Sequence, residues 1–492
     1  MNDQTVPGAS ITRIVVCGAG LAAHMAAATL ARQLPRAIRV IWVRGRDARE
    51  ADLFYGGVTG PTAYAFNLAA GVSEPRLVLD TDTTFSWGTR FDEWAQGRRS
   101  WVQCFHLPFP VVGGVPYHQH LLRLGIDDLE PLLLPAVAAR RGVFAHPPEK
   151  GSGPLSRAEY GYQFDAYSYR EPFAASAVSS GVQVIDADLS GIECQEGRIA
   201  SLRLADGQSI TGDLFVDCTG PDARLLASLR VPAPAGRRLG AMLSKHADDR
   251  TGPPCRLLVT RDFGWHSETF LRAGRARLTV FAPQFETQAL ATHGATPSRR
   301  AEVVIGRRDS AWTGNCVALG HAAGVLEPLT HAPMLILQRE IERLLTLIPV
   351  SQEMSVERRE FNRQGAADHQ LAEDFHRALF EMQPRFDTDY WLAARAEPPH
   401  ETLATKLTQF ASRGLLVAFD LEPFNAEEWA ILHFGMGRRP ARYDRLADQL
   451  PLAETRAALQ NTAQEIEKLV ASMPSHGQYL ANLIRYLKQK QW

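Results

Sequence analysis

Before Val350 the apolar positions fall in short runs, and after it they recur at helical spacing. Ile11–Cys17 is β-branched and apolar, the pattern of a buried parallel strand. An Ala-rich stretch, Ala22–Gln33, predicts a helix, and the apolar run Ile38–Val43 closes a βαβ unit. Gly181–Val216 reads as short strands with turns at Glu196-Gly197 and Asp206-Gly207, a meander ending in the apolar strand before Asp217-Cys-Thr-Gly220. Cys255–Pro283 alternates weakly and predicts two more strands. Trp312–Gly324 predicts a strand followed by a second Gly/Ala cluster, then a helix over Met334–Leu347. Long helices are expected over Glu357–Met382 and Ala453–Lys490. The fold class is therefore α/β, with a Rossmann-like start and a helical C-terminal region.

Composition narrows the picture. A chain of 492 residues needs two or three packed subdomains. Its 53 basic and 54 acidic residues give no electrostatic case for nucleic acid or an anionic membrane. Met1–Thr12 lacks the layout of a secretory signal, and no apolar run approaches the roughly 18 residues of a spanning helix. Cys17, Cys104, Cys194, Cys218, Cys255 and Cys316 are scattered without metal-ligand spacing, so no metal site is expected and a reduced, cytoplasmic setting fits best.

The candidate chemistry starts at Gly18-Ala-Gly20-Leu21-Ala22-Ala23, placed between a strand and a helix. Gly18 permits the tight turn, Gly20 lets a diphosphate approach the backbone, and Ala23 lets helix and strand pack closely. The phosphates would then sit on the helix N-terminus, against Leu21 and Ala22. The acidic residue expected at the end of the second strand is absent. Arg44 stands there, able to hold a phosphate or ribose oxygen, or to be a solvated turn residue. Gly320, His321, Ala323, Gly324 and Pro328 form the second small-residue turn before a helix, where the far end of a nucleotide cofactor could lie. A glycine-rich loop, Gly56–Pro61, and an aromatic-dense stretch, Phe85–Tyr117, complete the inventory; the latter is either core or an aromatic-lined pocket.

Several of these segments together resemble the flavin-dependent tryptophan halogenase family, within the aromatic-hydroxylase-fold flavoproteins. They are Ile14–Ala23, Thr84–Trp94, Tyr160–Ala166, Asp213–Gly220, Asn315–Leu344, Arg385–Trp391 and the stretch from Trp429 through Gly435–Pro440. The resemblance implies FAD as cofactor, held by Gly18 to Ala23, Arg44 and the Gly320–Pro328 turn. It implies an FAD-binding domain (1–110, 181–235, 301–350) interleaved with a β-sheet substrate module (111–180, 236–300) and a helical cap (351–492).

The departures from that family bear most on function. The halogenating lysine corresponds to Ser86, the glutamate to Thr330, and the acid of the flavin motif to His321; the family's Trp-rich stretch corresponds to Trp265–Phe270. Hydroxyls cannot hold an electrophilic chlorine or stabilise a cationic arene as an amine and a carboxylate do. The expectation is thus a monooxygenase that hydroxylates an electron-rich ring, an indole or a phenol, through a peroxyflavin. Ser86 and Thr330 line the expected catalytic region, and His331, His321 and His266 are candidate bases, His331 foremost. Without the halogenating pair, the chain is also similar to the monooxygenase that hydroxylates a protein-bound tryptophan in the biogenesis of quinohemoprotein amine dehydrogenase. The Phe85–Tyr117 region would then be a docking surface for a peptide or protein. O₂ and either NAD(P)H or a flavin reductase are the expected co-reactants. An atypical halogenase, a non-catalytic flavin-binding assembly factor and an NAD(P)-only dehydrogenase are the alternatives.

Overall fold

The computed structural model describes residues 10–45, 49–95, 99–151, 153–248, 250–381, 385–396, 398–420 and 422–490. The β-branched first run forms the strand Arg13–Cys17, and Ile14 to Cys17 are fully buried. It sits in a six-stranded sheet of order Trp312–Thr313, Cys316–Ala318, Leu214–Asp217, Arg13–Cys17, Arg39–Val43, Gln183–Ile185. All neighbours are parallel except the Trp312–Thr313 edge. The helix Leu21–Gln33 covers this sheet with a face of small residues, Ala22, Ala23, Ala26 and Ala27, which permits close approach. Trp42 on the second strand donates its indole N–H to the Gly18 carbonyl at 2.9 Å, tying the glycine turn to the sheet.

A seven-stranded sheet forms the second layer, in the order Arg299–Val304, Arg238–Ala247, Gly274–Phe281, Gly264–Leu271, Arg256–Arg261, Gly88–Asp92, Trp101–Cys104. The Cys255–Pro283 region supplies three of these strands rather than the expected two. Its reversals at Asp262-Phe263 and Arg272-Ala273 are two-residue turns without an Asn-Gly or Asp-Gly signal, and so were silent in the pattern. By contrast, the meander turn at Glu196-Gly197 has both residues at positive φ (+49° and +74°), the geometry a tight hairpin demands.

The first part of the aromatic stretch, Phe85–Trp101, supplies core rings. Phe85, Trp87, Phe91, Trp94 and Trp101 are all at most 2% exposed, and Trp94 donates to Leu379 of a C-terminal helix. These rings are spent on internal packing, which leaves the part of the stretch from His106 to Tyr117 at the surface. The C-terminal region holds Ser355–Glu381, Glu401–Arg413, Ala426–Gly435, Leu452–Ser472 and His476–Gln489. The last two replace one expected helix. Pro474 lacks the N–H to continue the first, and Ser475 starts the second with a capping box to Gln478. Met382, the expected end of the Glu357 helix, lies outside the described residues. No helix among the described residues is long and apolar enough to cross a membrane.

Candidate functional site

Gly18 has φ +142°, and a Cβ there would lie 2.2 Å from the Cys218 carbonyl oxygen, so only glycine lets the two turns meet. The second Gly/Ala cluster closes on the first from the other side. A Cβ on Gly320, at φ +59°, would come 3.0 Å from Ala22 Cβ and 2.4 Å from the Tyr55 hydroxyl. The Gly320 backbone N–H donates to Glu340 at 2.6 Å, and burial pushes that carboxyl up to about 8. Glu340 was missed, although it interrupts the apolar stripe Leu337, Ile341, Leu344 of its helix, a legible signal.

The N-terminus of the first helix already has a partner. Leu21 N–H donates to the Asp52 carboxylate at 2.9 Å, and a Cβ on Gly20 would sit 2.8 Å from the same group. Three residues on, Tyr55 stacks on His321 with ring centroids 4.0 Å apart. Burial drives the His321 imidazole down to about 3, opposed by the backbone of Ala51 and Gly324. Ala323 is buried within the turn, and Gly324 lies against Arg307 and His369. The space left among Gly20, Asp52, Tyr55, Gly220 and His321 is about 10 Å³, barely one water.

At the far end of the second strand, Arg44 forms a two-bond pair with Asp186 (2.6 and 3.0 Å). Asp186 follows the neighbouring parallel strand, Gln183–Ile185, so an acid is present one strand away from its expected position. The pair borders a cavity of about 690 Å³ together with Ala19, His24, Arg170 and Asp188.

On the other side, the loop Gly56–Gly60 runs beside the strand Gly161–Gln163, which in turn pairs with Thr84–Ser86. Arg256 lies completely buried and donates to the carbonyls of Gly56 (3.0 Å), Pro328 (2.9 Å) and Leu329. Burial lowers its guanidinium to about 9. It clamps the glycine loop onto Pro328, where a Cβ on Gly56 would be 2.7 Å from the proline ring. Behind Pro328, Glu327 accepts from Arg237 (2.6 Å), Trp265 (2.7 Å) and Tyr390.

Ser86, Thr330 and His331 each have their own partners, and Ser86 is linked to His331 through Gly161 and Gly60. Thr330 Oγ1 is 2.7 Å from His376 Nε2 and accepts from Ala332 N–H at 3.1 Å. His331 is packed edge-on to Phe105 and Phe424, and its Nε2 lies 4.0 Å from a Glu428 oxygen. Burial, with Arg256 and Arg339 nearby, lowers His331 to about 3, while burial raises Glu428 to about 8; both are neutral at pH 7. Ser86 is fully buried and exchanges hydrogen bonds with Gly88, 3.0 Å to its carbonyl and 3.2 Å from its N–H. His266 does not join the others. Its neighbour Trp265 points to Glu327, so strand alternation turns His266 to the opposite face, where it lies 3.3 Å from Arg261 and is lowered to about 3 by burial. One residue past Phe105, His106 lines a mostly apolar cavity of about 500 Å³ with Tyr117, His120, Arg157 and Leu459.

Set against FAD, these groups divide. The small-residue turns and the Arg44–Asp186 cavity suit the diphosphate backbone contacts and an adenosine. The Leu21 N–H at the start of this helix is bonded to the Asp52 carboxylate.

The family model for tryptophan halogenase matches residues 13–452. Tryptophan 7-halogenase KtzQ of Kutzneria sp. (strain 744) is 25% identical over 376 residues, which cover 66% of this chain and 68% of that protein. Among solved structures, BrvH, a flavin-dependent halogenase from Brevundimonas sp. BAL3, is 28% identical and superposes with a TM-score of 0.88 over 96% of this chain and 99% of its own. Xcc4156, a flavin-dependent halogenase from Xanthomonas campestris, is 25% identical with a TM-score of 0.88 over 96% and 98%. The chain belongs to the tryptophan halogenase family, whose cofactor is FAD.

Proposed function

We propose that this chain is an FAD-dependent oxygenase that hydroxylates an electron-rich aromatic ring, an indole or phenol, either free or as a tryptophan side chain of a protein. The observation that carries the reading is the state of Ser86 and Thr330. Where the resemblance implies an amine and a carboxylate, both are hydroxyls, committed to Gly88 and His376 respectively. The nearest acid to His331 named above, Glu428, is held neutral by burial and cannot stabilise a cationic arene.

FAD, when bound and reduced, supplies the activation of O₂. The chain's own residues do the rest. Gly18 to Ala23 offer backbone to the diphosphate, and the Arg44–Asp186 pair meets the adenosine end. The Arg256 clamp fixes the Pro328–Leu329 backbone. The 500 Å³ cavity beside His106 is large and apolar enough for a single or fused ring. In this reading His331, buried beside Phe105 and neutral, serves as acceptor for a ring or phenol proton. Electrons come from NAD(P)H or a partner flavin reductase.

The test is turnover of an aromatic substrate under ¹⁸O₂, with FAD and a reductase, in the presence and absence of bromide. One ¹⁸O per product, unchanged by halide, is expected; a halide-dependent bromine isotope pattern would overturn the reading in favour of an atypical halogenase. The occupied helix terminus favours a second reading, a flavin-binding assembly factor without turnover. FAD binding with no O₂ consumption would select it.

A further inference from the structure

We infer that Asp52 is a built-in competitor of the cofactor's diphosphate, and that it sets the affinity of this site for FAD. The inference rests on the reading of the chain as an FAD protein. Three observations converge on it. The first helix has no acid in its own first turn and no side-chain cap at Gly20; the carboxylate on Leu21 N–H comes from Asp52, 31 residues away. A carboxylate at a helix N-terminus takes the N–H groups and partial positive charge that a phosphate would use. The two anions cannot share them.

Second, Asp52 does not act alone. It lies in the 3₁₀ segment Arg49–Tyr55, in which side chains three apart eclipse. Asp52 and Tyr55 therefore face the groove together, one on Leu21 and the other stacked on His321. Third, a Cβ built on Gly20 would lie 2.8 Å from the Asp52 carboxylate, so the acid stands directly against the glycine over which a diphosphate would pass. The space of about 10 Å³ beside Asp52 and Tyr55 is too small for a diphosphate while the carboxylate stays on Leu21.

The test is the Kd of the purified full-length protein for FAD, ADP and AMP, comparing wild type with Asp52→Ala and Asp52→Asn, with thermal unfolding checking that each variant is folded. Asp52→Ala should tighten FAD and ADP at least tenfold, Asp52→Asn should do so by less, and AMP, which has no diphosphate, should change less than threefold. An equal gain for AMP, or no gain for FAD in either variant, overturns the inference. If wild type binds FAD tightly and the variants bind no better, only the competition is lost. If none of the three proteins binds FAD, the proposed function falls with it.

Discussion

At the residue scale, this site is governed by burial. His321, His331 and His376 are each lowered to about 3, so none is a cation at neutral pH. A neutral His331 accepts a proton but with little driving force, which confines it to a positioning or weakly basic role. Replacing it with alanine should reduce product formation tenfold or more while FAD content per protein stays constant. The pH profile of the wild type should show no limb near 6.5 from this group, because its titration has moved to about 3. Parallel loss of flavin and turnover would make His331 a packing residue against Phe105 and Phe424. Arg256 works differently, since its three carbonyl partners give it geometry without a neutralising acid.

At the scale of elements, the helical region is held by its starts as much as by its apolar faces. The helix His476–Gln489 begins with Ser475 and Gln478 exchanging hydrogen bonds with each other's backbone. Ser475→Ala should cost about 1 kcal/mol, measured by denaturant unfolding with an unchanged slope. A loss well under a few tenths of a kcal/mol would mean that packing alone, through Leu480 and Leu487, fixes this end. The break itself was visible as Pro474 in the sequence, yet the long apolar periodicity on both sides overrode it in the expected single helix. The three-stranded run from Arg256 to Phe281 went unread for a related reason, its turns lacking the residues that mark tight hairpins.

At the scale of the whole molecule, buried titrating groups give stability two opposed limbs. The histidines lowered from 6.5 to about 3 favour the folded chain fully above pH 6.5, and that contribution is lost as pH falls toward 3. Glu340 and Glu428, raised from 4.5 to about 8, act in reverse: their contribution is complete below 4.5 and disappears as pH climbs through 8. Glu340→Gln should therefore flatten the fall of Tm between pH 5 and 8 while leaving the acid limb intact. An undiminished slope in that range would show that Glu340 keeps an ordinary acidity.

Legibility follows the same division. The βαβ start, the meander and the second Gly/Ala cluster were readable because backbone geometry imposes residue types at fixed spacing, as at Gly18 and Gly320. Asp52, Asp186 and Arg256 were not, because each reaches its partner across the sequence (31 residues for Asp52 and Leu21, 142 for Asp186 and Arg44) and nothing local announces the contact. Ser86 was found by resemblance, but its closed hydrogen-bond loop was not.

That loop bears on whether an amine could be installed at this position. A lysine placed at position 86 would have to break both bonds to Gly88 and carry an ammonium into a place with no exposed surface, at a cost of several kcal/mol. The packing around the small side chain is itself the barrier: an amine at this position demands remodelling of the neighbouring core as well.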